Sequence, residues 1–285
     1  MAQLRPLEAD DAEAAFDLQL VTFGVLDAQL GLPPTPPPAD RTPGVRRVRH
    51  LVETDPGGAW AATGDDGSLV GAALALEREG IWGLSLLVVH PDEQSSGIGS
   101  ALLQRTLEYA DGARGGLILG SEDPRALRVY HRAGFTLRPA MDASGPIRRR
   151  PDASSAVRPL RWPQDRELVD AAGRAVRGAS HAREIPVYLA GGIEVLVHEG
   201  GGYAAYHDGR LRLLAAHEPA VATELLETVL ARSGDEAEVQ FLDAQQDWAF
   251  DVVLEAGLRL RPAGATCVRG EVGPLRPYIP SGAYL

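Results

Sequence analysis

The chain of 285 residues contains no lysine, no asparagine and a single cysteine. One cysteine, Cys267, cannot close an intramolecular disulfide, so no covalent staple is expected and a reducing cytoplasm suits the chain. Cys267 itself reads as a packing residue rather than a nucleophile. No run of roughly 18 uncharged apolar residues occurs, so no membrane-spanning helix is expected. The opening, MAQLRPLEADDAEAAF, is acidic where a secretory signal would be basic and then apolar. Every basic side chain is an arginine, and the net charge is −11. That balance argues against general nucleic-acid affinity, which needs cations to neutralise phosphates. It favours a cationic ligand such as an amine, whose local concentration the charge raises. Abundant Ala, Gly, Pro and Arg beside absent Lys and Asn matches GC-rich coding, so an aspartate can stand where asparagine would otherwise serve.

What is present suffices for packed cores. Apolar residues make up 45% of the chain, and its length suits two domains at roughly 100–200 residues each. LRPLEADDAEAAFDLQLVTF reads as a short strand and a helix, with Asp10 and Asp11 as N-cap candidates. The Pro-rich GLPPTPPPADRTP interrupts, and GVRRVRHLVET suits a second helix. Asp66-Gly67 marks a hairpin between two strand-like runs, and IWGLSLLVV supplies another strand. GGLILGSE, DPRALRVYHRAG and FTLRPA then read as strand, helix and strand. The mixed order predicts an α/β fold (α+β, with a mixed central sheet). Residues 142–155, DASGPIRRRPDASS, lack periodicity and read as a linker between a domain at 1–141 and another at 156–285.

After the linker the chain begins again. VRPLRWPQDRELVDAA echoes LRPLEADDAEAAFDLQ, AVATELLETVLA echoes GIGSALLQRTLE, and WAFDVVLEAGLRL echoes ALRVYHRAGFTL. Gly99 and Gly134 are 35 positions apart, as are Ala222 and Gly257. An internal duplication accounts for this spacing.

The most specific stretch is VVHPDEQSSGIGSALLQRTLEYA. A helix N-terminus leaves N–H groups without intrahelical partners and carries partial positive charge. Glycines at 97 and 99 remove the Cβ atoms that would block an anion there and permit positive φ, while Ile98 can anchor the turn in the core. No Gly-Lys-Ser/Thr follows, and Leu102 stands where a dinucleotide fingerprint needs a third glycine.

Gln94-Ser95-Ser96-Gly97-Ile98-Gly99, preceded by Val89-His90-Pro91 and followed by Leu102 and Leu103, resembles motif A of the GCN5-related N-acetyltransferases. DPRALRVYHRAGF resembles the same family's second element, with Ala126, Tyr130, Gly134 and Phe135 in place and Asp123 at its usual Asn position. The resemblance covers roughly residues 1–140, and the second half by its repeat. It implies two tandem GNAT-like domains, with acetyl-CoA as cosubstrate, no metal, and direct acetyl transfer to an amine. Backbone N–H groups of Gly97, Ile98, Gly99 and Ser100, beside Gln94, would hold the pyrophosphate. The strand edge at Val88 and Val89 would pair with the pantetheine arm, and Asp123 and Ala126 would lie on the cofactor side.

Tyr130 would protonate the departing thiolate, since a phenol is protonated at neutral pH. The general base stays open among Glu77, Glu79, Glu122, His90 and a water chain. In the second half Ala220 and Ala222 replace Gly97 and Gly99, and Val253 replaces Tyr130. That half is expected to keep the fold without the cofactor, serving as a wall of the acceptor site or a homodimer surface. The ending GPLRPYIPSGAYL packs over the junction, packs on its own domain or is a surface tail. Small amines, aminoglycoside-like antibiotics, amino acids and protein N-termini are all admissible acceptors. A non-catalytic acyl-CoA sensor and a structural subunit are the competing readings.

Overall fold

In the computed structural model, residues 2–32, 34 and 36–285 are described; Pro33 and Thr35 of the expected Pro-rich loop lie outside them. Contacts divide the chain into two compact units, residues 1–77 with 82–113 and residues 78–81 with 114–285.

The first unit runs β1 (Gln3–Pro6), α1 (Ala12–Gln29), α2 (Thr42–Thr54), β2 (Ala59–Thr63), β3 (Leu69–Arg78), β4 (Ile81–Val89) and α3 (Ile98–Tyr109). The strands lie in the order β1-β2-β3-β4. Asp11 starts α1 by reaching back rather than forward. Its carboxylate accepts from the Glu8 N–H and from both terminal nitrogens of Arg5. The Asp66-Gly67 turn lies between β2 and β3, where Asp66 holds Ser68. Ile98 and Leu102 of α3 are buried against Ala62 and Ala73. At Gly71 a Cβ would fall 2.9 Å from Leu102 Cδ1. Helix α3 is therefore seated directly on the sheet.

The second unit continues β5 (Gly115–Gly120), α4 (Pro124–Arg132), β6 (Thr136–Pro146), β7 (Val157–Pro159), α5 (Arg166–Val176), α6 (Ile185–Ala190), β8 (Glu194–His198), β9 (Gly202–His207), β10 (Arg210–Ala216), α7 (Pro219–Arg232), β11 (Glu236–Leu242), α8 (Asp247–Glu255), β12 (Arg259–Gly270) and β13 (Tyr278–Ile279). The ten elements from β7 to β12 repeat the order of the ten from β1 to β6. The repeat reaches side chains: Arg158 grips Asp165 through both terminal nitrogens, as Arg5 grips Asp11. Asp208 and Gly209 both take positive φ at the β9–β10 turn, the geometry the Asp-Gly signal asks for.

The strand order in this unit is β5-β12-β6-β11-β10-β9-β8-β7. The last strands of the two repeats are thus exchanged. Antiparallel β12 pairs with β5 from Gly120↔Ala265 to Gly115↔Gly270, and β6 pairs with β11 from Pro146↔Glu236 to Met141↔Leu242. Between them β12 and β6 pair with each other. Residues 142–146, expected to open the linker, are therefore strand. Asp, Ser, Gly and Pro are poor strand formers, but partners on both sides supply hydrogen bonds that local propensity does not reveal. The core of this unit gathers Leu225, Leu226, Val229, Trp248, Val253 and Ile279 with their neighbours.

Candidate active site

Strand β4 delivers the chain to the glycine turn. His90 N–H donates to Val70 O at 2.8 Å, and the Gln94 amide donates to Val89 O at 3.1 Å. Gln94 thereby braces the turn with its own side chain. Ser95 takes φ 65° and Gly97 takes φ 93°, both left-handed. Gly97 is the N-cap of α3 without a side-chain cap, and the first helical bond runs from Ala101 N to Gly97 O at 3.0 Å. The N–H groups that precede it have no intrahelical acceptor.

The two glycines differ in why they are glycine. At Gly97 the backbone demands it, because a left-handed residue with a Cβ is strained. Gly99 has no positive φ, and a Cβ there would meet only Val89 Cγ2, at an ordinary 3.6 Å. Neither backbone nor packing needs glycine at 99. Beside the free N–H groups the bare Cα has only that one neighbour, which suits a phosphate approaching the helix end. A pyrophosphate fits these residues.

His90 is tied locally: Nδ1 accepts from Asp92 N at 3.4 Å and lies 3.7 Å from its carboxylate. Val88 is buried and Val89 half-buried at the end of β4. Glu77 is half-buried on β3, and its N–H donates to Asp55 Oδ1. Glu79 forms a forked ion pair with Arg174 at 2.8 to 3.1 Å. The Arg174 hydrogen bond holds its carboxyl below the usual range, so it is a charged partner, not a proton acceptor.

The remaining residues singled out in the sequence, Glu122, Asp123, Ala126 and Tyr130, belong to the second unit. Glu122 and Ala126 are half-buried. Asp123 caps α4, accepting from Arg125 N at 2.8 Å, and both its oxygens meet the Arg125 guanidinium. Burial pushes its pKa up, but the Arg125 bonds outweigh that and leave it lowered. Tyr130 is 5% exposed and lies against Gly120, where a Cβ would come within 3.3 Å of Cε2. Burial first, then Cys267, pushes its pKa well up. Tyr109, Tyr188, Tyr203, Tyr206 and Tyr278 each place their hydroxyl on a partner. The Tyr130 hydroxyl has none among the described residues. It is a buried, protonated donor with its proton uncommitted. Burial pushes the Cys267 thiol up to about 12, and it is buried and inert.

Asp142 was hidden by the linker reading. On β6 it is partly buried, accepts from Phe241 N at 3.0 Å, and burial, then Glu238, push its pKa up to about 6. No signal in its own segment marks this, because the strands that cover it come from the other repeat.

At the corresponding places in the second repeat the residues and the helix start differ. Helix α7 starts at Pro219, which has no N–H, after Glu218 in extended rather than left-handed conformation. Ala222 is fully buried where Gly99 is half-buried, and Val253 fills the place of Tyr130 inside the core. Among the described residues no helix is long and apolar enough to cross a membrane, and no group of three metal-ligating side chains occurs.

The model of the Acetyltransferase (GNAT) family matches residues 28–135. None of the curated proteins matches the chain in sequence. Among solved structures, the chain resembles a putative acetyltransferase from Pyrococcus horikoshii at 17% identity and TM-score 0.78, over 100% of this chain and 96% of that one. It also resembles a GCN5-related N-acetyltransferase from Sphaerobacter thermophilus at 16% identity and TM-score 0.58, over 99% and 98% of the two chains. A tandem GNAT protein from the clavulanic acid biosynthesis pathway matches at 17% identity and TM-score 0.58, over 95% and 98%. At these identities the likeness concerns the fold.

Proposed function

From the premise that residues 28–135 belong to the GNAT acetyltransferase family, in a chain with a tandem GNAT fold, we propose an N-acetyltransferase with one working site, in the first half. It takes acetyl-CoA and moves the acetyl group directly to a primary amine of a small-molecule acceptor. The observation that carries this reading is the difference between two equivalent helix starts. Gly99 leaves the N-terminus of α3 open, while Pro219 and buried Ala222 close that of α7.

The free N–H groups of Gly97, Ile98, Gly99 and Ser100 hold the pyrophosphate, and the edge of β4 at Val88 and Val89 aligns the pantetheine arm. Bound acetyl-CoA supplies the acetyl thioester. Tyr130 keeps its proton on Oη through the working pH range and gives it to the leaving sulfur, where negative charge builds. The proton of the amine goes to Glu77, to Glu122 or to water. Asp123 serves as the cap of α4, so the cofactor contact that an asparagine would make there is taken up by Arg125. The net charge of −11 favours a cationic acceptor.

That engagement of Asp123 is the one observation favouring a second reading, a non-catalytic acyl-CoA sensor. Thiol release from acetyl-CoA, followed across a panel of small primary amines, separates the two. The enzyme releases CoA in proportion to acceptor, and Tyr130→Phe slows it. Binding of acetyl-CoA without amine-dependent thiol release sinks the enzyme reading.

A further inference from the structure

The cleft of the second repeat is occupied by the chain itself. Strands β10 and β11 run parallel and are joined in register only at Arg210↔Glu238. Beyond that pair β11 bends away: Phe241 takes φ 56°, and its register with β6 shifts between Val239 and Leu242. The edge of β10 thus exposed is covered by β13. Leu214 pairs with Ile279 and Ala215 with Tyr278, antiparallel, and Ala216 N donates to Pro277 O at 3.3 Å. Tyr278 and Ile279 are each 1% exposed.

Further contacts seat the segment. The buried Gln246 amide donates to Leu275 O at 2.8 Å, and Leu275 N donates to Val176 O at 2.8 Å. Tyr278 Oη lies 3.1 Å from Nε2 of buried His181, whose Nδ1 meets Tyr203 Oη at 2.7 Å.

These contacts stand where the first repeat would meet the pantetheine arm. Ala215 and Ala216 end β10 as Val88 and Val89 end β4. Gln246 begins α8 as Asp123 begins α4. We propose that the second repeat carries a strand-accepting cleft that has exchanged the cofactor arm for an extended peptide, the chain's own segment 274–279. The comparison with pantetheine rests on the reading of the first half given above; the strand-binding cleft does not. Its chemistry is β-augmentation: main-chain hydrogen bonds to the β10 edge hold the strand, and pockets for Leu275, Tyr278 and Ile279 select the sequence.

The test uses the full chain carrying Ile279→Pro, read by amide hydrogen exchange. Proline removes the N–H that pairs with β10. The amides of Leu214 and Ala216 face β13, whereas His217 N donates to Gly201 O on the opposite side. Exchange at Leu214 and Ala216 should rise by about tenfold or more while His217 and α7 stay protected. A synthetic peptide of residues 273–280 should restore protection in the variant and leave wild type unchanged. Unaltered exchange in the variant, or a peptide that fails to protect an otherwise folded variant, overturns the proposal.

Should α7 lose protection, Ala215→Cys/Tyr278→Cys replaces that variant. Directly opposed residues of an antiparallel pair lie close enough for a disulfide. Closure within a monomer is expected, and failure to close overturns the proposal. Acetyl-CoA titration of the same samples reads the first half separately. Loss of all cofactor binding with the peptide result intact would sink the acetyltransferase reading alone.

Discussion

Replacing Gly99 by alanine should make the protein more stable and its cofactor affinity worse. Gly99 lies in the first turn of α3 with no positive φ, and a Cβ there meets only Val89 Cγ2 at 3.6 Å. Alanine in such a place stabilises by about 0.5–1 kcal/mol, through a less flexible unfolded chain. For a protein of this size that raises Tm by about 1–3 °C. The same methyl stands beside the N–H groups proposed to hold the pyrophosphate. Loss of one charged hydrogen bond costs about 1.5–3 kcal/mol, or about 10- to 100-fold in Kd. The control is Gly97→Ala, where φ of 93° makes alanine strained by about 1–2 kcal/mol, so that variant should be less stable. Thermal melts and acetyl-CoA titration on the two variants give the four numbers needed. A Gly99→Ala protein that melts lower than wild type, or that binds acetyl-CoA equally well, refutes the argument that this glycine is kept for a ligand.

Other substitutions probe the remaining groups. Tyr130→Phe should lower kcat by about 10²-fold or more while leaving cofactor affinity and Tm unchanged, since the hydroxyl holds no partner among the described residues and its proposed action is on the leaving group alone; steady-state kinetics with a matching melt checks this. Asp142 has a folded-state pKa raised from 3.8 to about 6, so the folded protein holds that proton more tightly than the unfolded chain. Its contribution to stability is present below about pH 4 and is lost as pH rises through about 6. The ceiling is about 3 kcal/mol, and about half that once solvent screening is counted. Asp142→Asn should abolish that part of the slope in urea unfolding measured from pH 4 to 7. Glu184 and Arg78 form a buried ion pair at 2.7 Å. Glu184→Ala should cost about 3–5 kcal/mol by taking a charged partner from the buried arginine, which denaturant titration would read.

The parts of this molecule legible in the sequence were those that local rules govern. The glycine turn, the Asp-Gly turns and the main helices depend on residues close in the chain, and the repeat betrays itself by equal spacing. The exchanged strands were not legible, because β6 and β12 owe their pairing to partners about 100 residues or more away and the end of β6 is built from turn-prone residues. Asp142 followed the same fate: its raised pKa comes from strands that only the folded chain brings over it. The tail GPLRPYIPSGAYL left its placement open, and within the second unit it pairs with β10. The general base was not visible in sequence. Glu79 is now set aside by Arg174 and His90 is tied to Asp92, while Glu77 and Glu122 stay open.

The central claim is one working cofactor site in a duplicated fold, and counting sites tests it most directly. Calorimetric titration of wild type with acetyl-CoA should give one site per chain, and Gly99→Trp, which fills the open space before α3, should give none. Two sites in wild type would mean that the second half still takes the cofactor despite Pro219, Ala222 and the strand seated on β10, and one site surviving in Gly99→Trp would mean that the start of α3 is not where the cofactor is held. No binding at all in wild type would contradict the account at its root.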